Sequence, residues 1–282
     1  MTTQEARIFE CPVSGLRFRQ PAPPEEVAEF YGASYHESMA GGSDDEQRTA
    51  AYRAENEARI GFLGRFKAPG KVLDVGCSTG LFASQLRAAG WDAMGSDISP
   101  YACARARELL GPDHVFEGQV EKLGPRLEHT LDAVTLMDVI EHFADVVTPL
   151  RAIASMLRPG GVRVLRTPTL HSPVYAIADL SYRLSAGKYT GAVLKIYHAE
   201  HFYFFNEESI RRLLESVGFE VLAIEPDPLR WDNFRTAELR HGHVVNAVLA
   251  AAYFAGRAAG RGHGMMVAAR RRADARAAAS AP

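Results

Sequence analysis

The sequence has few of the features that mark secreted or membrane-spanning chains. Its three cysteines, Cys11, Cys77 and Cys103, are odd in number and far apart, which argues against a disulfide framework. The longest mostly apolar run, Val244 to Ala255, is well short of the roughly 20 residues that cross a bilayer. The opening MTTQEARIFE lacks the basic start and apolar stretch of a secretory signal. We therefore expect a cytoplasmic protein without a transmembrane segment.

An excess of charge of one sign is also missing. The chain has 32 Lys plus Arg against 34 Asp plus Glu, a formal net charge of −2. Such a chain has no global positive field that would hold nucleic acid through its phosphates, so we predict no nucleic-acid partner. With 282 residues and 47% hydrophobic content, it can instead bury one large α/β core.

Short apolar runs alternate with helical stretches through the middle of the chain, as in a parallel sheet covered on both faces. The predicted strands are Lys71–Val75, Trp91–Ser96, His114–Glu117, Leu131–Leu136, Val162–Thr167, Phe219–Glu225 and Met265–Ala269. The predicted helices include 81–89, 100–110, 146–157 and one that Asn206 caps, and Arg158-Pro159-Gly160-Gly161 should stop the third. The fold class is therefore α/β and doubly wound.

The segments around this region have a different composition, and they set the predicted organisation of the chain. We expect an arm and helix over residues 1–66, irregular up to about residue 42, a main domain over 67–270 with lid insertions at 168–205 and 226–262, and a disordered tail at 271–282. The apolar helix predicted at 244–255 could cover an acceptor pocket, pair with a second copy in a homodimer, or lie on a membrane. Burial against the sheet is the alternative.

A glycine loop gives the first indication of a ligand. Gly76-x-x-x-Gly80 lies between a buried strand and a helix, where free backbone N–H groups can bind polar atoms, as in nucleotide pockets. The next strand ends at Asp97, whose carboxylate can accept both ribose hydroxyls, and Ile98 can cover an adenine face. The alternative for Asp97 is an N-cap of the helix that begins at Pro100.

Four segments, VLDVGCSTG, GSDISP, LDAVTLMDVIEHF and LRPGG, resemble the motifs of class I S-adenosylmethionine-dependent methyltransferases and occur in the family's order. The resemblance implies a Rossmann-like seven-stranded sheet with an antiparallel last strand, and S-adenosylmethionine as the cofactor. It also implies the cofactor contacts: Asp74, Gly76, Cys77, Ser78 and Gly80 near the methionine end, Asp97 and Ile98 at the ribose and adenine, Gln119 and Val120 near the adenine, and Met137 and Asp138 near the sulfonium. Tyr35 is expected to fold over the cofactor, with core packing as its alternative.

Two groups of residues are candidates for removing a proton from an acceptor. One is Glu141 and His142, which follow the fourth strand, and the other is His198 and His201, which are surrounded by aromatic residues. The first stretch is similar to that of ubiquinone-biosynthesis O-methyltransferases, whose acidic residues and histidine have been linked to a metal. We favour a site without a metal, in which Glu141 and His142 orient the pocket. A divalent ion such as Mg²⁺ on Asp138, Glu141 and His142 is the alternative.

The acceptor is predicted to be a small molecule. The Asn-Pro-Pro-Tyr-like tetrapeptide with which nucleic-acid methyltransferases hold a flipped base is absent, because MDVIEH stands in its place. We expect transfer to a hydroxyl oxygen of a secondary metabolite, sugar or lipid precursor, with nitrogen or carbon as alternative acceptor atoms. An NAD-dependent oxidoreductase and a non-catalytic binding module are the competing functions.

Overall fold

The computed structural model describes residues 8–19, 46–186, 200–227 and 262–272, together with the single residues 197, 251, 254, 256 and 260. Across these ranges, no helix combines the length and the apolar character needed to span a membrane. The predicted insertion 226–262 and the tail 271–282 lie largely outside the described residues, and so does most of the helix predicted at 244–255. The domain boundaries therefore stay predictions.

A seven-stranded mixed sheet forms the centre of the described chain. In chain order its strands are β3 (Lys71–Val75), β4 (Asp92–Asp97), β5 (Val115–Glu117), β6 (Leu131–Met137), β7 (Leu157–Pro168), β9 (Phe219–Asp227) and β10 (Gly264–Arg271). Across the sheet their order is β5-β4-β3-β6-β7-β10-β9, and β10 pairs antiparallel with both of its neighbours. The predicted Rossmann-like sheet with an antiparallel last strand is thus confirmed.

Helices cover both faces of this sheet. They are α1 (Glu46–Gly64), α2 (Leu81–Ala88), α3 (Pro100–Leu110), α4 (Gly124–Leu127), α5 (Val147–Met156), α6 (Pro173–Leu184) and α7 (Glu207–Ser216). On one face, Phe82 and Leu86 of α2 are buried in the same cluster as Val72 of β3. On the other, Leu150 of α5 is buried in one cluster with Leu136 of β6. The carboxyl ends of the parallel strands are consequently left for a ligand site, as in other doubly wound folds.

The predicted ends of two helices are confirmed. Asn206 accepts a hydrogen bond from the backbone N–H of Ser209 at 2.7 Å, and Ser209 Oγ accepts one from the Asn206 backbone N–H at 2.9 Å, which closes a capping box at α7. Helix α5 ends at Met156, two residues before Arg158-Pro159-Gly160-Gly161. Strand β7 begins earlier than predicted because Leu157 already pairs with Leu131 of β6, and the register then shifts to the pair Ala133 and Val162.

The N-terminal arm, which was expected to be irregular, and the predicted lid segment both contain regular structure. In the N-terminal arm, β1 (Ile8–Glu10) and β2 (Arg17–Arg19) form an antiparallel hairpin, and β2 pairs with β8 (Tyr203–Phe204) in a separate three-stranded sheet. In the predicted lid, Ser172 caps α6. The prediction of an irregular arm was wrong for the hairpin because strands of three residues are too short to show periodicity, and because β2 pairs with β8, which is distant in sequence.

Arg163 of β7 is a buried cation that has no hydrogen-bond partner among the described residues. It is 0% exposed, none of its guanidinium nitrogens is hydrogen-bonded in this part of the chain, and its guanidinium lies 4.2 Å from the centre of the Phe219 ring. Burial lowers its pKa to about 9, so it still carries its charge at neutral pH. An unpaired buried ion costs several kcal/mol, and the contact with the ring offsets only part of that.

We expect Arg163→Met to raise the free energy of unfolding by about 1–3 kcal/mol, because the methionine fills a similar volume without a charge. Urea unfolding followed by circular dichroism measures the change. The matched control is Arg158→Met in the same strand, whose exposed guanidinium pairs with Asp132 at 3.0 Å; its effect should stay within about 0.5 kcal/mol. An Arg163→Met protein no more stable than the wild type would show that the buried charge is tolerated without penalty.

Candidate functional site

The loop between β3 and α2 has a backbone shape that depends on glycine. Gly76 and Gly80 have positive φ angles of 70° and 84°, and Ser78 has φ 48°. A side chain on Gly76 would overlap Val139, and one on Gly80 would lie 3.1 Å from the backbone of Ala106. The loop therefore needs glycine at both positions, and it leads directly into the N-terminus of α2, where backbone N–H groups can bind polar atoms.

Cys77 differs from the other predicted cofactor residues of this loop. Its side chain is 5% exposed and lies in the apolar cluster between the sheet and α2, and burial raises the pKa of the thiol. Gly95 of β4 makes room for it, since a Cβ there would lie 2.6 Å from the sulfur. The Cys77 side chain therefore contributes packing, and its backbone holds the loop in shape, because its N–H donates to the Ser96 carbonyl at 3.0 Å and its carbonyl accepts from the Gly80 N–H at 2.9 Å.

Asp97 links the glycine loop to the end of β4. Its Oδ2 accepts the backbone N–H of Ser78 at 2.9 Å, and its Oδ1 accepts that of Ser99 at 2.9 Å. Ser99, and not Asp97, caps α3, because the Ser99 hydroxyl accepts from the Ala102 N–H. A carboxylate offers about four acceptor sites, so Asp97 can shape the loop and still accept hydroxyl hydrogens from a ribose. Next to it, Ile98 is 39% exposed and can cover an aromatic ring.

The other predicted cofactor residues on the neighbouring strands differ in how accessible they are. Asp74 is 3% exposed and accepts the Thr135 hydroxyl at 2.8 Å, and burial raises its pKa to about 7. Val120 is buried in the core, whereas Gln119 beside it is exposed. Gln119 follows Gly118, whose N–H donates to the Asp97 backbone at 2.8 Å, so this turn lies against the Asp97 side of the loop. Tyr35 lies outside the described residues.

The end of β6 carries a second group of polar residues. Met137 is half-buried, and Asp138 takes a left-handed conformation with φ 60°. Its carboxylate contacts Arg166 of β7 and lies 3.6 Å from a nitrogen of Arg59 in α1. Burial acts to raise the pKa of Asp138, but the charges of Arg166 and Arg59 outweigh it and lower the pKa.

Glu141 lies deeper in the same site. It is 1% exposed, its Oε2 accepts the Thr167 hydroxyl at 3.0 Å, and its Oε1 has no hydrogen-bond partner in the ranges that the structure describes. Burial first, and then the charge of Asp138, raise the pKa of Glu141 to about 8. At neutral pH Glu141 is therefore mostly a neutral acid, which can donate a hydrogen bond to a ligand oxygen.

Two histidines meet beside Glu141. The rings of His142 and His201 are 4.6 Å apart at 81°, and His142 Nδ1 lies 3.1 Å from the carbonyl oxygen of Glu200. A carbonyl can only accept, so a neutral His142 carries its proton on Nδ1 and presents Nε2 as the acceptor nitrogen. His198 lies outside the described residues.

An aromatic wall of Tyr175, Tyr197 and Phe204 flanks this polar site. Tyr175 and Tyr197 contact each other edge to face at 5.1 Å, and both contact Phe204. Arg17 from the hairpin donates to Asp179 of α6 at 2.6 Å, and Tyr197 donates to the same carboxylate at 2.9 Å. The hairpin and α6 are thereby joined next to the strand ends.

Comparison with known proteins agrees with this geometry. The model of a methyltransferase domain family matches residues 45–224. The chain belongs to this family. A ubiquinone biosynthesis O-methyltransferase of Xanthomonas campestris pv. campestris (strain B100) is 33% identical over 132 residues, which are 44% of this chain and 55% of that enzyme. The chain thus matches only about half the length of this curated relative.

Solved structures agree on the fold of this methyltransferase. A SAM-dependent methyltransferase from Archaeoglobus fulgidus has a TM-score of 0.56 at 17% identity and covers 84% of this chain and 98% of its own. Magnesium protoporphyrin IX methyltransferase from Synechocystis PCC 6803, solved with bound S-adenosylhomocysteine, has a TM-score of 0.57 at 16% identity. The match covers 88% of this chain and 100% of that enzyme's chain. The class I fold and S-adenosylmethionine as cofactor follow from the family.

The possible metal ligands in this methyltransferase differ from the set suggested by the sequence. One donor atom each from Glu141, His142 and His201 lies within 4.8 Å of the other two, whereas Asp138 is paired with Arg166. Two imidazoles and one carboxylate suit a transition metal better than Mg²⁺, which prefers oxygen ligands. The donors present therefore fit Zn²⁺ or Mn²⁺ better than Mg²⁺, the ion named in the alternative to a metal-free site.

Sequence reasoning missed the two arginines and the threonine of the site. Arg59, Arg166 and Thr167 belong to no motif that the sequence suggested. The available signal was the run VRVLRT, in which two arginines, Arg163 and Arg166, alternate with apolar residues, since a charge in a buried strand usually has a partner. The partners of these residues are set by the sheet order, which the local sequence does not specify.

Proposed function

We propose that this methyltransferase transfers a methyl group to a hydroxyl oxygen of a small molecule, such as a secondary metabolite, a sugar or a lipid precursor. The observation that carries the proposal is the hydrogen bond between His142 Nδ1 and the Glu200 carbonyl, which directs Nε2 to act as a proton acceptor. A hydroxyl must lose its proton as it is methylated, whereas a neutral amine can attack with its lone pair. The oriented base therefore favours oxygen.

In this proposal one group of residues binds the cofactor and a second group acts on the acceptor. S-adenosylmethionine supplies an electrophilic methyl group on sulfur. The glycine loop and Asp97 hold the cofactor. His142 accepts the hydroxyl proton at Nε2 as the acceptor oxygen bonds to the methyl carbon and the sulfur keeps the electron pair of the broken bond. Neutral Glu141 donates a hydrogen bond through Oε1 that orients the acceptor.

The aromatic wall suits an acceptor with an apolar or aromatic body. Tyr175 and Phe204 are both buried, and the pKa of the Tyr175 hydroxyl is raised by burial, so it remains protonated and able to donate. No nucleic-acid partner is proposed. The cytoplasmic location and the homodimer stay predictions.

A second candidate is metal-assisted O-methylation, and the clustering of Glu141, His142 and His201 favours it. In that case the three residues would bind the ion and the ion would lower the pKa of the acceptor hydroxyl. Activity would then be lost in EDTA and return with Zn²⁺ or Mn²⁺. Full activity in EDTA, with no metal detected in the protein by mass spectrometry, would leave the metal-free mechanism.

The acceptor atom can be identified before the acceptor itself. The chain is incubated with S-adenosylmethionine carrying a ¹³C-labelled methyl group and with a small-molecule extract of bacterial cells, and the products are examined by NMR. The methyl chemical shift distinguishes O-methyl from N-methyl and C-methyl products. We expect O-methyl signals that disappear with heat-inactivated protein. N-methyl or C-methyl products alone would contradict the proposal. NAD reduction with the same extract would instead favour an oxidoreductase.

A further inference from the structure

Five charged residues form a row of alternating sign across the carboxyl ends of the strands. We call Glu55, Arg59, Asp138, Arg166 and Asp227 the charge row. Arg59 lies 2.7 Å from Glu55 and 3.6 Å from Asp138, and Arg166 contacts Asp138 and donates to Asp227 at 2.8 Å. All except Asp138 are at most 9% exposed. Asp138 is thus the central member, with an arginine on each side.

Gly264 allows Arg166 to reach across the sheet. Arg166 is on β7 and Asp227 is on β9, and the first residue of β10, Gly264, lies between them. A Cβ on Gly264 would lie 2.7 to 2.9 Å from three atoms of the Arg166 guanidinium. A side chain here would push the guanidinium away from its present position. The glycine is therefore a steric requirement of the charge row.

Asp138 adjoins the cofactor loop. The next residue, Val139, packs so closely on Gly76 that a Cβ on the glycine would overlap it. The Asp138 N–H donates to the Arg166 carbonyl at 3.0 Å, which fixes the left-handed residue to β7. A cofactor in the glycine loop would therefore bring its charged sulfonium near a carboxylate whose charge two arginines offset.

Methyl transfer removes the positive charge from sulfur. An isolated carboxylate beside the sulfonium would stabilise the reactant state more than the transition state and the neutral thioether product, and so would raise the barrier. We propose that Arg166 acts through Asp138 to offset its charge, so that the site does not hold the sulfonium too tightly. This inference rests on the proposed position of the cofactor in the glycine loop, and Arg166 itself need not touch the cofactor.

The test compares the dissociation constants of S-adenosylmethionine and S-adenosylhomocysteine by calorimetry, because only the first carries the sulfonium charge. In Arg166→Met we expect S-adenosylmethionine to gain about tenfold in affinity relative to S-adenosylhomocysteine. The affinity ratio is the dissociation constant of S-adenosylhomocysteine divided by that of S-adenosylmethionine. In Arg166→Lys, which keeps the charge, this ratio should stay within about threefold of the wild-type value. A merely structural role would weaken both ligands alike and leave the ratio unchanged.

Further variants keep the result interpretable. If Arg166→Met does not fold, Gly264→Ala displaces the guanidinium and should raise the ratio in the same direction. The control is Arg65→Met in the loop after α1, whose exposed guanidinium pairs with Glu225 at 2.7 Å and should leave the ratio unchanged. An unchanged or lowered ratio in Arg166→Met or Gly264→Ala overturns the inference alone. A wild-type chain that binds neither ligand would overturn the cofactor position as well.

Discussion

In the His142→Gln variant we expect kcat for O-methylation to fall about 10²–10⁴-fold, the usual contribution of a positioned general base. The affinity for S-adenosylhomocysteine should stay within about threefold, because the cofactor loop is untouched. Glutamine is chosen because its amide is polar and similar in size to the imidazole but does not take up a proton at neutral pH. Steady-state kinetics with the O-methyl acceptor found in the extract measures kcat, and calorimetry measures binding.

One control variant and two rescue experiments distinguish a role of His142 as the base from its other possible roles. His171→Gln changes an exposed histidine that lies 3.8 Å from Glu207, and it should leave kcat unchanged. If His142 is a metal ligand, His142→Gln loses bound metal along with activity, and added Zn²⁺ at high concentration should restore part of both. If it is the base, imidazole in solution should restore part of kcat without metal. A kcat within about threefold of the wild type would exclude both roles.

Local patterns were sufficient to predict the central sheet. Buried strands appear in a sequence as continuous apolar runs. For this reason β3 was predicted with its observed bounds, Lys71–Val75. Its loop could be predicted because glycine is required where φ is positive and the backbone must approach closely, as at Gly76 and Gly80. The small sheet of β1, β2 and β8 could not be predicted, because strands of two or three residues are too short to show an alternation of apolar and polar residues.

The same reasoning explains how much of the candidate site was predictable. Asp97, Glu141 and His142 could be proposed from the sequence because each follows a predicted strand, and the ends of parallel strands meet at one edge of the sheet. Arg166 was missed because its partner Asp227 is sixty-one residues away in sequence and two strands away in space. Such a pair depends on the order β7-β10-β9, and a local pattern specifies strands but not their order.

Asp97→Ala is expected to raise the dissociation constant of S-adenosylhomocysteine at least about 100-fold, or about 2.7 kcal/mol. The substitution would remove the carboxylate that binds the ribose. It would also remove the hydrogen bond from the Ser78 backbone N–H to this carboxylate, which shapes the loop. Calorimetry measures the binding. The control, Glu117→Gln, changes an exposed carboxylate at the end of β5 whose partner is Arg107, and should bind as the wild type does. An unchanged affinity in Asp97→Ala would contradict the ribose contact.

The two contributions of Asp97 can be separated with a ligand that lacks the ribose 2′-hydroxyl. If Asp97 binds this hydroxyl, removing it from S-adenosylhomocysteine should weaken binding to the wild type about tenfold and have little further effect in Asp97→Ala, because the two changes remove the same hydrogen bond. If Asp97 acts only through Ser78 and Ser99, the 2′-deoxy ligand should lose the same factor in both proteins. Additive losses would therefore assign Asp97 to the shape of the loop, and non-additive losses to the cofactor.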